Sequence, residues 1–255
     1  MKRMPVVFVG HGSPMNAVEE NTFTRCWKDI ADSIPRPKAI LMVSAHWVTN
    51  GLKINGDAQP KMLYDMYGFP DPLYEVVYNA PGAPELAQRV TQLLNCEVAV
   101  DKSRGFDHGN WSVLSKMYPD HDIPLTQLSV DLSRSPEEIY QIGHELQALR
   151  DEGVLIIGSG NVVHNLRWVD WDATEGYTWA DSFDMMVRDH ILKKQHLSLI
   201  NYAEKGEIAS LSVPTVDHYL PLLYILGAAT MEDEVSVYND ARTMGSLSMT
   251  SYVWE

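Results

Sequence analysis

The chain alternates between short, predominantly apolar runs and longer stretches in which apolar residues return every three or four positions. Runs of the first kind, residues 6–9, 39–47 and 154–157, read as strands buried on both faces, the pattern of a central parallel sheet. Between them, Phe23, Trp27, Ile30 and Ile34 mark one helical face over residues 16–34, with Glu19 and Glu20 near its start and Pro35 and Pro37 closing it. Ser135-Pro136-Glu137-Glu138 is a helix start with a cap, a first-turn proline and an acidic third position. Ile139, Ile142, Leu146 and Leu149 continue that helix until Gly153.

Residues 83–94, 179–194 and 216–228 read as further helices, the last mostly buried. Residues 52–55, 97–100 and 124–130 read as strands, and residues 235–238 and 248–253 as two closing strands. Residues 57–84, rich in Pro, Gly, Asp and Tyr, form a long loop bearing Met62, Tyr64, Met66, Tyr67, Phe69 and Tyr74. Such a loop either pins itself to the surface by its aromatics or walls an aromatic pocket. No repeat, low-complexity tract or linker divides the chain. The expectation is one α/β domain over residues 1–255, with a mixed, mainly parallel sheet flanked by helices.

Composition narrows the function. The net charge of −14 repels phosphate backbones and anionic membrane surfaces and argues against a nucleic-acid partner. Met1-Lys2-Arg3 is basic, but the apolar run after it ends at Gly10, too short for an export segment, and the longest apolar run, residues 219–229, is too short to span a bilayer. Cys26 and Cys96 have no ligand spacing and read as reduced, packed thiols. The expectation is a soluble, cytoplasmic protein.

Any metal chemistry therefore falls to histidine. His11 follows the first strand in Gly10-His11-Gly12-Ser13-Pro14, His46 follows the second, and His164 comes shortly after the strand at 154–157. In open α/β sheets, ligands bind beyond the carboxyl ends of the strands. Neutral imidazole is the commonest metal ligand, so the three strand ends point to a metal site there. A third ligand could come from Asp217 or His218 at the start of the late buried helix. His121, His144, His190 and His196 lie in polar turns or on helix faces and read as structural or solvated.

Five motifs then stand in order: Val9-Gly10-His11-Gly12-Ser13-Pro14; Ser44-Ala45-His46-Trp47; Phe106-Asp107-His108-Gly109; Gly158-Ser159-Gly160 with His164-Asn165-Leu166; and Asp217-His218-Tyr219-Leu220-Pro221-Leu222. Together they resemble the class III extradiol ring-cleaving dioxygenases, in particular the 4,5-DOPA dioxygenase type. The resemblance implies a non-haem Fe(II) centre, with Zn(II) as a substitute in isolated protein. It implies His11, His46 and His218 as metal ligands, His164 as acid/base residue and fourth ligand to a bound zinc, and His108 as a pocket residue that meets substrate or oxygen. Its substrates are a catechol and O2. Trp47, Trp111 and Tyr219 adjoin motif histidines and could stack on an aromatic ring, while Lys61, Arg104 and Arg167 are the cations from which a substrate acid group would choose. Other readings are a structural or regulatory zinc protein and a tetrapyrrole metal chelatase, which shares only the His-Gly-Ser turn.

Overall fold

A computed structural model describes residues 3–255; Met1 and Lys2, part of the basic start, lie outside the described residues. The ten strands are β1 Val6–Gly10, β2 Ala39–Thr49, β3 Lys53–Asn55, β4 Ala99–Asp101, β5 Leu125–Asp131, β6 Val154–Gly160, β7 Val235–Tyr238, β8 Arg242–Thr243, β9 Leu247–Ser248 and β10 Ser251–Trp254. Eight of them form one sheet in the order β4-β3-β5-β2-β6-β1-β10-β7, while β8 and β9 pair separately. The four central strands β5, β2, β6 and β1 are parallel, β3 opposes β5, and β10 opposes β1 and β7, so the sheet is mixed and parallel at its centre.

Alternation along the central strands divides the core in two. Val6, Phe8, Leu41, Val43 and Ile156 face a cluster completed by helices Pro84–Leu93, Pro136–Glu145, Thr178–Leu192 and Leu220–Ala228. Val7, Val9, Ile40, Met42, Leu155 and Ile157 face helices Thr22–Ser33 and His108–Met117. Both faces are covered, which is why these strands read as continuous apolar runs rather than alternating ones. The helix Leu220–Ala228 is buried on every residue. Among the described residues, no helix is long and apolar enough to cross a membrane.

Several elements differ from the sequence expectation: the late helix starts at Leu220 rather than at residue 216, the closing strand expected at 248–253 is divided between β9 and β10, and three further differences have a local reason. The first long helix starts at Thr22 rather than Asn16, because Asn21 caps it: its side chain accepts from the backbone N–H of Phe23 and Thr24, and its own N–H donates to Thr24 Oγ1. Residues 14–17 instead form a short 3₁₀ turn capped by Ser13. The helix begun at Pro136 ends at Glu145, and a separate turn, Ala148–Asp151, carries Leu149. His46 lies inside β2, not after it, yet regular pairing stops before it. The β2–β6 register runs out at Ser44–Ser159, and the β2–β5 register jumps between Val43–Leu128 and Val48–Val130. The extra residues on β2 form a bulge that re-aims the His46 side chain.

A candidate metal centre beyond the central strands

His11 is delivered by β1, whose last residues pair with β6 through Gly10–Gly160. Its carbonyl accepts a hydrogen bond from the buried Asn16 side chain at 3.0 Å, and its N–H donates to the Gly160 carbonyl at 3.0 Å. His218 comes from the turn before helix Leu220–Ala228 and is pressed onto the end of β6. The Asn161 N–H donates to the His218 carbonyl at 2.9 Å, and a Cβ at Gly160 would stand only 2.2 Å from that oxygen. Only glycine allows this approach. Gly109 does the same for His46, because a Cβ there would lie 2.9 Å from the His46 ring and 2.4 Å from Ser44 Oγ. The helix that starts at His108 can therefore pack directly on the bulged strand.

One ring nitrogen each from His11, His46 and His218 lie within 4.8 Å of one another, and the Nε2 atoms of His11 and His46 are 3.1 Å apart. Hydrogen bonds on the far side of two rings fix the tautomers. The Ser159 hydroxyl donates to the Gly109 carbonyl at 2.6 Å, so its oxygen is left to accept from His11 Nδ1–H at 2.9 Å. Asp217 Oδ2 lies 2.5 Å from His218 Nδ1 and accepts from it. Each of these rings therefore presents an unprotonated Nε2 to its neighbours, and His218 Nε2 is buried with no hydrogen-bond partner.

A buried lone pair without a donor is costly, and several aimed at one point are more so. A divalent cation would satisfy them together. Ligand bonds of about 2.0–2.2 Å at tetrahedral to octahedral angles place donors about 3.0–3.4 Å apart, and the His11–His46 separation fits. Burial pushes His11 and His218 well below the ordinary imidazole value, and each is lowered further by the neighbouring imidazoles; burial and His108 bring His46 down to about 3. The imidazoles are thus neutral at pH 7, the form a metal needs.

His164 and His108 stand beside this group. The His164 ring stacks on His218, with centroids 3.5 Å apart and planes 4° from parallel, and burial lowers it to about 4. The His108 ring centroid is 3.7 Å from that of His46.

Asp65, in the long loop, is a residue that the sequence reading missed. Its Oδ1 accepts from the His108 N–H at 2.9 Å and lies 3.0 Å from His108 Nδ1, and its Oδ2 lies 3.6 Å from His46 Nδ1. Burial alone would raise this carboxyl, but the His108 contacts and His46 hold it at about 2. His46, Asp65 and His108 form a second group with ligand-type atoms within 4.8 Å. Nothing in the loop's composition distinguishes this carboxylate from the other acidic residues.

The histidines open into a cavity of about 700 Å³, walled by Met66, Tyr67 and Phe69 of the loop, by residues 164–167 and Trp171, and by Asp217. The loop is therefore a pocket wall. Trp47, Trp111 and Tyr219 are buried and do not line the cavity. Trp111 Nε1 donates to the Leu63 carbonyl and the Tyr219 hydroxyl to the Leu199 carbonyl, so both pack as core residues. Arg104 stacks over Trp47 at 5.5 Å. His190 and His196 bond to Gln195 and Tyr140, away from the cavity.

Comparison with known proteins agrees with this geometry. Residues 5–254 match the family described as the catalytic LigB subunit of aromatic ring-opening dioxygenase. The chain is 48% identical to the 4,5-DOPA dioxygenase extradiol of Escherichia coli K12 over 98% of its own length and 94% of that protein's. It is 36% identical to the protein of the same name from Beta vulgaris, covering 96% and 94% of the two chains. The crystal structure of an uncharacterized protein from Escherichia coli K12 superposes with a TM-score of 0.86 at 45% identity, covering 98% of this chain and 99% of that one. The chain belongs to the LigB family of aromatic ring-opening dioxygenases.

Proposed function

We propose that this ring-opening dioxygenase holds Fe(II) on His11, His46 and His218 and opens a catechol bearing an amino-acid side chain, as the names of its relatives indicate for them. The observation that carries the ligand set is the convergence of His11, His46 and His218, with the buried His218 Nε2 lacking any other partner. Three protein ligands leave coordination positions free, as catalysis by a metal requires. When bound, Fe(II) supplies the Lewis acidity that makes a chelating phenol acidic and a centre at which the ring and O2 meet.

The protein's own groups do the rest. His164, neutral at pH 7 and buried beside the cluster, accepts a phenolic proton on a ring nitrogen and returns it later in the cycle. His108 borders the cluster on the His46 side, where it meets substrate or oxygen, and Asp65 holds its backbone N–H and lies 3.0 Å from its Nδ1. Phe69, Tyr67 and Trp171 supply an apolar wall for the ring. A structural zinc protein would close its site with four ligands; the cavity beside these three histidines favours the catalytic reading.

The test is anaerobic loading with Fe(II), followed by air and a panel of catechols. Ring opening appears as the absorbance of a conjugated semialdehyde. No turnover of any catechol by iron-loaded protein would refute the proposal.

A further inference from the structure

We propose that Arg167 is the anchor for a carboxylate carried on the substrate's side chain; the identity of the reacting ring rests on the ring-cleavage reading above. Of the three cations legible in the sequence, two are excluded by their surroundings. Arg104 donates to the His46 carbonyl and to Asp107 Oδ2, both at 2.9 Å, and does not line the cavity. Lys61 lies outside the cavity wall. Arg167 lines the cavity, and its guanidinium has no ion-pair or hydrogen-bond partner among the described residues.

Its backbone, in contrast, is tightly held. The Arg167 N–H donates to Asn165 Oδ1 at 3.1 Å, Asn165 Nδ2 donates to the Leu211 carbonyl at 2.7 Å, and Ser246 Oγ donates to the Asn165 carbonyl at 2.8 Å. A fixed backbone carrying an unspent planar fork is suited to two parallel hydrogen bonds to a carboxylate.

Charge in the wall singles out the same residue. Among the described residues, Asp217 and Arg167 are the only aspartate, glutamate, lysine or arginine lining the cavity, and Asp217 already accepts from His218. A chain of net charge −14 repels an anionic ligand at long range, and Asp217 repels it at short range. Arg167 is the place in this wall where a carboxylate is attracted.

The experiment compares L-DOPA with dopamine, which shares its catechol and ammonium but lacks the carboxylate. Binding to zinc-loaded protein without oxygen is read by tryptophan fluorescence, and kcat and KM are read with iron-loaded protein in air. The wild type binds L-DOPA more tightly than dopamine. Arg167→Ala weakens L-DOPA by roughly 10- to 100-fold in Kd and KM, with kcat and dopamine binding within about twofold of wild type. Arg167→Lys restores part of the difference, and Arg167→Glu reverses the preference. A wild type that does not discriminate, or an Arg167→Ala variant that loses both ligands equally or neither, overturns the assignment. Discriminating binding without turnover of either catechol leaves the anchor standing and removes the ring-cleavage reading.

Discussion

The adjacent residues Asp217 and His218 separate two roles that sequence alone leaves interchangeable. The His218 ring joins the cluster while Asp217 accepts a hydrogen bond from its far nitrogen, an arrangement that orients a metal-binding imidazole and raises its basicity. Under the proposed ligand set, His218→Ala empties the site, as measured by metal content after dialysis. Asp217→Asn retains the imidazole but loses the charge behind it, and its metal affinity falls roughly 10- to 100-fold in chelator competition. His164→Ala behaves differently: metal content stays near wild type while kcat drops by roughly 10²- to 10⁴-fold. Full activity in His164→Ala would show that the proton is handled elsewhere. The histidines themselves were legible because each sits in a motif, His11 and His46 at the ends of apolar runs and His218 at the start of one. The roles of Asp65 and Ser159 were not, since they exist only through partners 43 and 148 positions away in the chain.

At the scale of elements, the site depends on how closely a turn can approach a strand end. Gly160 on β6 abuts the His218 carbonyl, and the clash is with backbone rather than with a side chain that could swing away. Gly160→Ala is therefore expected to cost about 1–3 kcal/mol in denaturant unfolding and to lower metal content by displacing His218. An alanine variant with wild-type stability and metal content would mean that the turn relaxes freely. The central strands were readable because burial on both faces makes them continuous apolar runs, and the longer helices because burial imposes a period of 3.6. Helices His196–Ile200 and Glu207–Ser212 and the two-residue strands β8 and β9 were passed over, because elements so short do not complete a pattern. The β2 bulge was hidden for another reason: it arises from register against β5 and β6, which no single strand encodes.

For the whole molecule, the balance is between a core that needs no metal and a cluster of neutral imidazoles that acid should disrupt. Two apolar layers on either side of the sheet hold the fold, so chelation at pH 7.5 should leave the protein folded with a lower Tm, not unfold it. Acid acts through the histidines. An imidazole in the unfolded chain takes up its proton near pH 6.5, whereas burial, aided for His11, His46 and His218 by neighbouring imidazoles, holds these and His164 below that value, His46 to about 3 and His164 to about 4. Between those values the unfolded state binds more protons than the folded one. The stability contributed by neutral burial is thus complete above pH 6.5 and declines as pH falls, by on the order of 1 kcal/mol per pH unit for each imidazole. Most carboxylates titrate lower, so a fall between pH 6.5 and 5 reports the histidines. Melting curves of chelated and metal-loaded protein at pH 7.5, 6 and 5 should show the chelated Tm dropping steeply below pH 6.5. The gap to the loaded protein should narrow as protons displace the ion from the same nitrogens. A chelated Tm that is flat from pH 7.5 to 5 would mean that these imidazoles titrate as they do in water, and that they are not held as the buried, neutral group on which the metal site depends.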